Sequence, residues 1–252
     1  MPVITNYHPQ KKFTPTKFPE KFLPQPGATL LCFCPMKLIS LQHAVSLARS
    51  TPIREALLDV HRKMRPSAAE PAEKWEQPGV RHFIASVVAA GDPASYLEIG
   101  SRRGHSLCCA LSQTDDTDAH SFDLVIPDYG GEENPGEPLL REELAAIGYH
   151  GRFSFHPGDS HLTVPEFFAD PGNRQHFDLI YVDGDHSEEG ALADLEEVWP
   201  RLSVGGVLVF DDLAHPQHPY LADVWERFCS GKAFSERVSS MAQDYGWAAL
   251  MR

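Results

Sequence analysis

The chain is poor in the features that mark several protein classes. Its 252 residues hold only five cysteines, Cys32, Cys34, Cys108, Cys109 and Cys229. The number is odd and no paired C-x-x-C spacing occurs, which argues against a zinc ribbon or a disulfide framework. Long apolar runs are missing too. The most apolar N-terminal stretch, Ala28 to Leu41, contains Pro35 and Lys37, is too short to span a bilayer, and starts too late for a signal peptide. The expectation is a protein of the reducing cytoplasm with no membrane partner. Basic charge is scarce beyond the N-terminal quarter. Residues 1–66 carry ten Lys/Arg against three Asp/Glu; with a total of −13, residues 67–252 must carry −20. An acidic main body argues against nucleic acid as a partner. The G-x-G-x-x-G spacing of dinucleotide enzymes is also absent, which counts against an NAD-dependent oxidoreductase.

What is present points to an ordinary packed core, because 42% of the residues are hydrophobic. Residues 1–27 are rich in Pro and Lys and lack periodicity, so they read as an arm. Residues 41–65 have the apolar spacing of one or two helices, and Pro66 to Pro78 is a polar connector. Gly79 to Ala90 is a further helix. Strands and helices then alternate. Strands are expected at Tyr96–Ile99, Ser121–Val125, Arg152–Phe155, Phe177–Val182 and Gly205–Phe210. Helices are expected at Gly104–Leu111, Pro138–Ile147, His161–Phe168, Ser187–Leu202 and Tyr220–Cys229. A last strand closes the chain, paired with Glu236–Ser240. This pattern predicts an α/β fold, a doubly wound, mostly parallel Rossmann-like sheet over residues 78–252, preceded by an N-terminal arm and helical extension over residues 1–77. The extra helices lead us to expect a homo-oligomer.

The chemistry-bearing residues fall where the strands stop. Phe177-Asp-Leu-Ile-Tyr-Val runs directly into Asp183-Gly-Asp185-His186, and Gly205-Gly-Val-Leu-Val-Phe runs into Asp211-Asp212. A strand, a helix and a parallel strand put the two C-terminal ends side by side, at the edge where open α/β sheets bind ligands. Asp183, Asp211 and Asp212 should therefore converge, which is costly unless a cation sits among them. All-oxygen ligation of this kind suits a hard ion such as Mg²⁺. Upstream, Glu98-Ile-Gly100-Ser101-Arg-Arg-Gly104 leads from a strand end into a helix. Gly100 permits a tight turn, Gly104 a close approach to the helix start, and Glu98 suits a ligand with an ammonium group. Asp123 lies in or just beyond the second strand, where an acid can hold ribose hydroxyls or be an ordinary strand-end residue. Asp159 and Ser160 follow the third strand, placed either to accept from an adenine amino group or to cap the next helix.

Together these motifs resemble class I S-adenosylmethionine-dependent methyltransferases over residues 78–252. The Asp183-Gly-Asp185-His186 and Asp211-Asp212 pair is similar to the bacterial branch holding macrocin O-methyltransferase and the cephalosporin-hydroxylase-like proteins, and to the metal sites of catechol O-methyltransferase. The resemblance implies a map. Glu98, Gly100, Ser101 and Gly104 would line the methionine end of the cofactor. Asp123 would hold the ribose, Asp159 and Ser160 the adenine, and Asp183 would border the same pocket. Asp183, Asp211 and Asp212 would bind Mg²⁺.

The implied reaction moves a methyl group onto a hydroxyl of a small-molecule acceptor. A base must take the proton. Asp185, two residues beyond a metal ligand, is the first choice, with His186 and His215 as rivals. Two other readings stay open on the same scaffold: a metal-independent methyltransferase, and a cofactor-binding protein without transfer. Acceptor identity would lie in residues 1–77, Pro127–Gly136 and His215–Tyr220, which carry no readable chemistry.

Overall fold

The computed structural model describes residues 36–37, 39–64, 78–128, 133–241 and 245–252. The expected N-terminal arm and the Pro66–Pro78 connector, except Pro78 itself, lie outside them. In chain order the elements are α1 (Leu41–Ala48), α2 (Thr51–Met64), α3 (Val80–Gly91), β1 (Ser95–Ile99), α4 (His105–Leu111), β2 (Asp118–Asp123), α5 (Glu137–Ile147), β3 (Phe153–Pro157), α6 (Ser160–Ala169), β4 (Phe177–Val182), α7 (Glu188–Val198), β5 (Leu202–Asp211), α8 (Leu221–Cys229), β6 (Glu236–Ser240) and β7 (Trp247–Met251). The seven strands form one sheet in the order β3-β2-β1-β4-β5-β7-β6. β1 to β5 are parallel; β7 runs antiparallel to both β5 and β6.

Strand periodicity divides the core. Tyr96, Leu179, Tyr181, Val207 and Val209 face one side and pack against α1, α2, α3, α4 and α5. Their strand neighbours Leu97, Ile99, Ile180, Val182, Leu208 and Phe210 face the other and pack against α6, α7 and α8. Both faces are covered, so these strands read as unbroken apolar runs. The helical extension joins this core. Leu41, Ala44, Ile53, Leu57 and Val60 lie in the same apolar cluster as α3, and Ser86 Oγ donates to the Ala44 carbonyl at 2.8 Å. Among the described residues no helix is long and apolar enough to cross a membrane.

Several boundaries differ from the sequence reading: the helix expected to reach Leu202 ends at Val198, and β5 and β2 both start earlier than expected. β5 begins at Leu202, not Gly205, because Leu202 already pairs with Phe177; the register then shifts before Leu179 pairs with Val207. β2 begins at Asp118 and ends at Asp123, three residues earlier than expected at its start and two at its end. Its first residues are polar but enclosed. Asp118 is held by Arg152 at 3.0 Å and Arg174 at 3.2 Å. Beside it His120 Nδ1 lies 3.1 Å from His156 Nε2, with the rings of Phe167 and Phe177 edge-on to His120.

That pair carries a pH signature. Burial lowers the His120 pKa to about 4; Asp118 opposes this, while His156, Arg174 and Arg152 add to it. The neutral imidazole is the folded form, and the unfolded chain takes up a proton near pH 6.5. Stability is therefore present above pH 6.5 and lost as pH falls towards 4, by about 2 kcal/mol at pH 5. Urea titrations of the wild type and His120→Gln between pH 7 and 5 should show the steeper acid loss in the wild type. Parallel curves would show that His120 does not supply it.

Candidate active site

The strand order reverses between β1 and β4, and the crevice at their C-terminal ends holds a cleft of about 990 Å³. Its rim is fastened by backbone hydrogen bonds. Gly100 N donates to Phe122 O at 2.8 Å and Asp183 N to Ile99 O at 2.9 Å. Gly100 adopts φ +88, and a Cβ there would collide with the Asp183 carbonyl. Glycine is thus needed to bring the β1 turn against the β4 loop.

On the β2 side, Asp123 organises the loops around it. Its Oδ2 accepts from Arg102 N at 2.6 Å, and its Oδ1 from Val125 N at 2.7 Å and Asn134 Nδ2 at 3.1 Å. Arg102 and Val125 both have positive φ, as do Asp212 and Tyr245 across the cleft. A β-branched residue in that region is strained, and strain of this kind gathers at binding sites. Leu124 and Ile126 line the cleft with 57% and 43% of their surface exposed. Apolar side chains left open inside a cleft suit a flat, partly apolar ligand.

On the β4 and β5 side, Asp183, His186 and Asp212 each offer one ligand atom within 4.8 Å of the others. His186 Nε2 lies 3.3 Å from Asp183 Oδ1 and 3.2 Å from Asp212 Oδ2. Burial would lower the His186 pKa, but Asp183, Asp212 and Asp185 outweigh it and raise it. Asp211 also reaches this rim, with its carboxyl turned inward. One oxygen accepts from the Asp212 amide at 2.9 Å and the other from the Tyr181 hydroxyl. That hydroxyl lies 3.3 Å from Asp183 Oδ2, so it sits between the two acids. Burial first, then repulsion from Asp183 and Asp212, raises the Asp211 pKa well above the carboxylate range. The expected convergence of the three acids is observed. The outward-facing donor set is Asp183, Asp212 and His186, with Asp211 behind it.

The other sequence candidates fall into two groups. Gly100, Asp123, Asp159, Ser160, Asp183, Asp185, His186 and His215 line the cleft. Glu98, Ser101 and Gly104 do not. Glu98 is fully enclosed, and its carboxyl accepts from Tyr96 Oη at 2.7 Å and from Ser106 Oγ. The Ser101 hydroxyl accepts from Ser121 Oγ at 2.6 Å. Gly104 has φ +78, and its open side faces Leu140 on α5. Turn geometry and helix packing both call for glycine there. Asp159 fills the capping role weighed for it, accepting from His161 N at 2.9 Å. Asp185 accepts from Ser187 N at 2.7 Å and lies 3.2 Å from His161 Nε2. Burial pushes its pKa up, but these contacts win and lower it. As a proton acceptor it is therefore weaker than expected.

Several cleft residues escaped the sequence reading. Arg81 enters from the first turn of α3, and Asn134 from the β2–α5 loop. His218, Tyr220 and Tyr245 join His215 in an aromatic wall. The His215 ring lies 4.9 Å from His218 and 4.3 Å from Tyr245. The spacing of His215 and His218 was a usable signal, since both occupy the loop just beyond β5. Asn134 and Tyr245 gave none, because loop geometry alone brings them in.

Residues 97–213 match the family model described as a methyltransferase domain. Solved structures share the fold. A methyltransferase of Podospora anserina bound to SAH is 18% identical, with 78% of this chain and 87% of that one covered and a TM-score of 0.54. The O-methyltransferase TomG of Streptomyces achromogenes, involved in tomaymycin synthesis and bound to SAM, is 16% identical over 84% and 94%, with a TM-score of 0.54. A Bacillus cereus O-methyltransferase in complex with SAH is 13% identical over 84% and 96%, at 0.53. Among curated protein sequences, none matches this chain significantly. Residues 97–213 are thus similar to a methyltransferase domain, and the fold they belong to is shared with solved methyltransferases. The seven-stranded, mostly parallel sheet is the Rossmann-like architecture of that class.

Proposed function

We propose that the protein is an S-adenosylmethionine-dependent O-methyltransferase that uses a divalent cation, Mg²⁺ or a close equivalent, to methylate a hydroxyl of a small molecule. The observation that carries this reading is the Asp183, His186, Asp212 cluster on the same cleft as Gly100 and Asp123. The residues fit both groups. Two carboxylate oxygens and an imidazole nitrogen suit a hard to borderline cation such as Mg²⁺ or Mn²⁺. The second lone pair of Asp123 Oδ2 suits a ribose hydroxyl, and Leu124 and Ile126 an adenine face. SAM and SAH in the structural neighbours support the cofactor.

The sulfonium of S-adenosylmethionine would supply the methyl group, and a cation held by Asp183 and Asp212 would lower the pKa of an acceptor hydroxyl. The chain's own residues do the rest. Asp183 borders both subsites and so fixes donor and acceptor relative to one another. With Nε2 of His186 given to the cation, His215 on the same side of the cleft is the proton acceptor, whereas Asp185 is tied to His161 and the α7 cap. The rings of His215, His218 and Tyr245 offer an aromatic face for the acceptor on that side. Kinship with the macrocin O-methyltransferase branch rests on Asp183-Gly-Asp185-His186 and Asp211-Asp212.

A second reading has one observation in its favour. Protonated, His186 lies close enough to Asp183 and Asp212 to neutralise them itself, and transfer could then proceed without metal. Methyl transfer from radiolabelled SAM to a panel of phenols and sugars, with Mg²⁺ or with EDTA, separates the two. Loss of transfer in EDTA and its return with Mg²⁺ supports the metal-assisted enzyme; full activity in EDTA removes the cation from the account.

A further inference from the structure

The inward face of α7 is apolar except at one position. Ala191, Leu195 and Val198 pack into the core, and between them Asp194 is only 2% exposed. A buried carboxylate among aliphatic residues is costly unless its contacts compensate. Its contacts all lead to the cleft. Oδ1 accepts from Ser160 Oγ at 2.8 Å and lies 3.6 Å from His161 Nδ1. Oδ2 lies 3.4 Å from the backbone N of Asp185. Ser160 and His161 follow β3, on the side assigned to adenine, whereas Asp185 follows β4, in the loop that carries Asp183 and His186. His161 closes the circuit through its contact with Asp185 at 3.2 Å.

The backbone is shaped for this approach. A Cβ on Gly184 would stand 2.8 Å from Asp194 Oδ2, and one on Gly190 would collide with the Asp185 carboxylate. Two glycines therefore let the β4–α7 loop lie down on Asp194 and on the start of α7.

We propose that Asp194 is a positioning residue that clamps the adenine loop and the cation loop into one rigid wall, so that binding on both sides of the cleft depends on a single side chain outside it. This rests on the reading of the cleft as a SAM and cation site. No bond is made or broken at Asp194; it fixes where Ser160 and the Asp183–His186 segment stand.

The test uses binding, not turnover. SAH affinity is measured by titration calorimetry, and Mn²⁺ affinity by paramagnetic resonance, for the wild type, Asp194→Leu and Asp194→Asn. All are compared well below their thermal midpoints. Leucine matches the volume without an acceptor, and both dissociation constants should rise about tenfold or more. Asparagine keeps one acceptor for the Asp185 amide, and its amide group can donate to Ser160 Oγ; it should recover most of both affinities. A merely structural aspartate would lower the melting temperature in both variants and leave the two affinities alone. Should Asp194→Leu not fold, Asp194→Ser, too short to reach either loop, gives the same comparison. SAH and Mn²⁺ binding within twofold of the wild type in the leucine or serine variant overturns the inference alone. A wild type that binds neither ligand overturns the reading of the cleft, and the inference falls with it.

Discussion

Asp183→Asn should lower kcat/KM for methyl transfer by about a thousandfold while the fold persists, because it removes a charge that a bound cation and His186 both use. The substitution is nearly isosteric. The amide oxygen can still accept from Tyr181, whose hydroxyl lies 3.3 Å from Asp183 Oδ2, and the backbone bond from residue 183 to Ile99 O is untouched. The lost charge matters in two ways. His186 Nε2 loses one of the two anions beside it, and a cation loses one of its two carboxylate ligands. Raising Mg²⁺ should then recover part of kcat, whereas raising SAM should not. Steady-state kinetics at several Mg²⁺ concentrations, with circular dichroism as the folding control, checks this. Wild-type activity in the variant would remove Asp183 from the chemistry.

The reason Asp183 could be found from sequence is instructive beside the residues that could not. Two apolar runs that end in acids, joined by a helix, force parallel neighbours with adjacent C-terminal ends, and Asp183 and Asp212 follow from that alone. The order within Asp211-Asp212 does not. Asp211 is the last residue of β5 and turns its carboxyl to Tyr181, whereas Asp212 has φ +62 and swings out to the cleft. Only the turn decides which acid faces out. Glu98 illustrates a different limit. A residue before a glycine turn looks like part of the turn, but strand alternation gives it the same side as Tyr96, towards α4. β2 was misplaced for a third reason. Its start, Asp118-Ala-His120, is polar, and the arginines that make its burial tolerable lie 34 and 56 residues further on. No local pattern shows partners at that distance.

The buried glutamate leads to the second large effect, on stability. Burial pushes the Glu98 carboxyl up to about 8; Ser106 and Tyr96 pull it down, and Asp183 and Asp123 add a smaller rise. At neutral pH the folded protein thus holds Glu98 protonated, while the unfolded chain releases that proton near pH 4.5. A group raised on folding stabilises fully below its unfolded pKa and loses that contribution as pH rises through its folded one. Between pH 5 and 8 the loss is about 3 kcal/mol. Glu98→Gln mimics the protonated acid: its carbonyl accepts from one hydroxyl, and its amide donates to the other. The variant should therefore lack this alkaline decline and be the more stable protein at pH 8. Chemical denaturation of both proteins at pH 5, 6.5 and 8 measures the difference directly. Equal slopes would show that Glu98 is already ionised in the folded state. Its charge would then demand a buried counter-ion, the part an ammonium group of the cofactor could play.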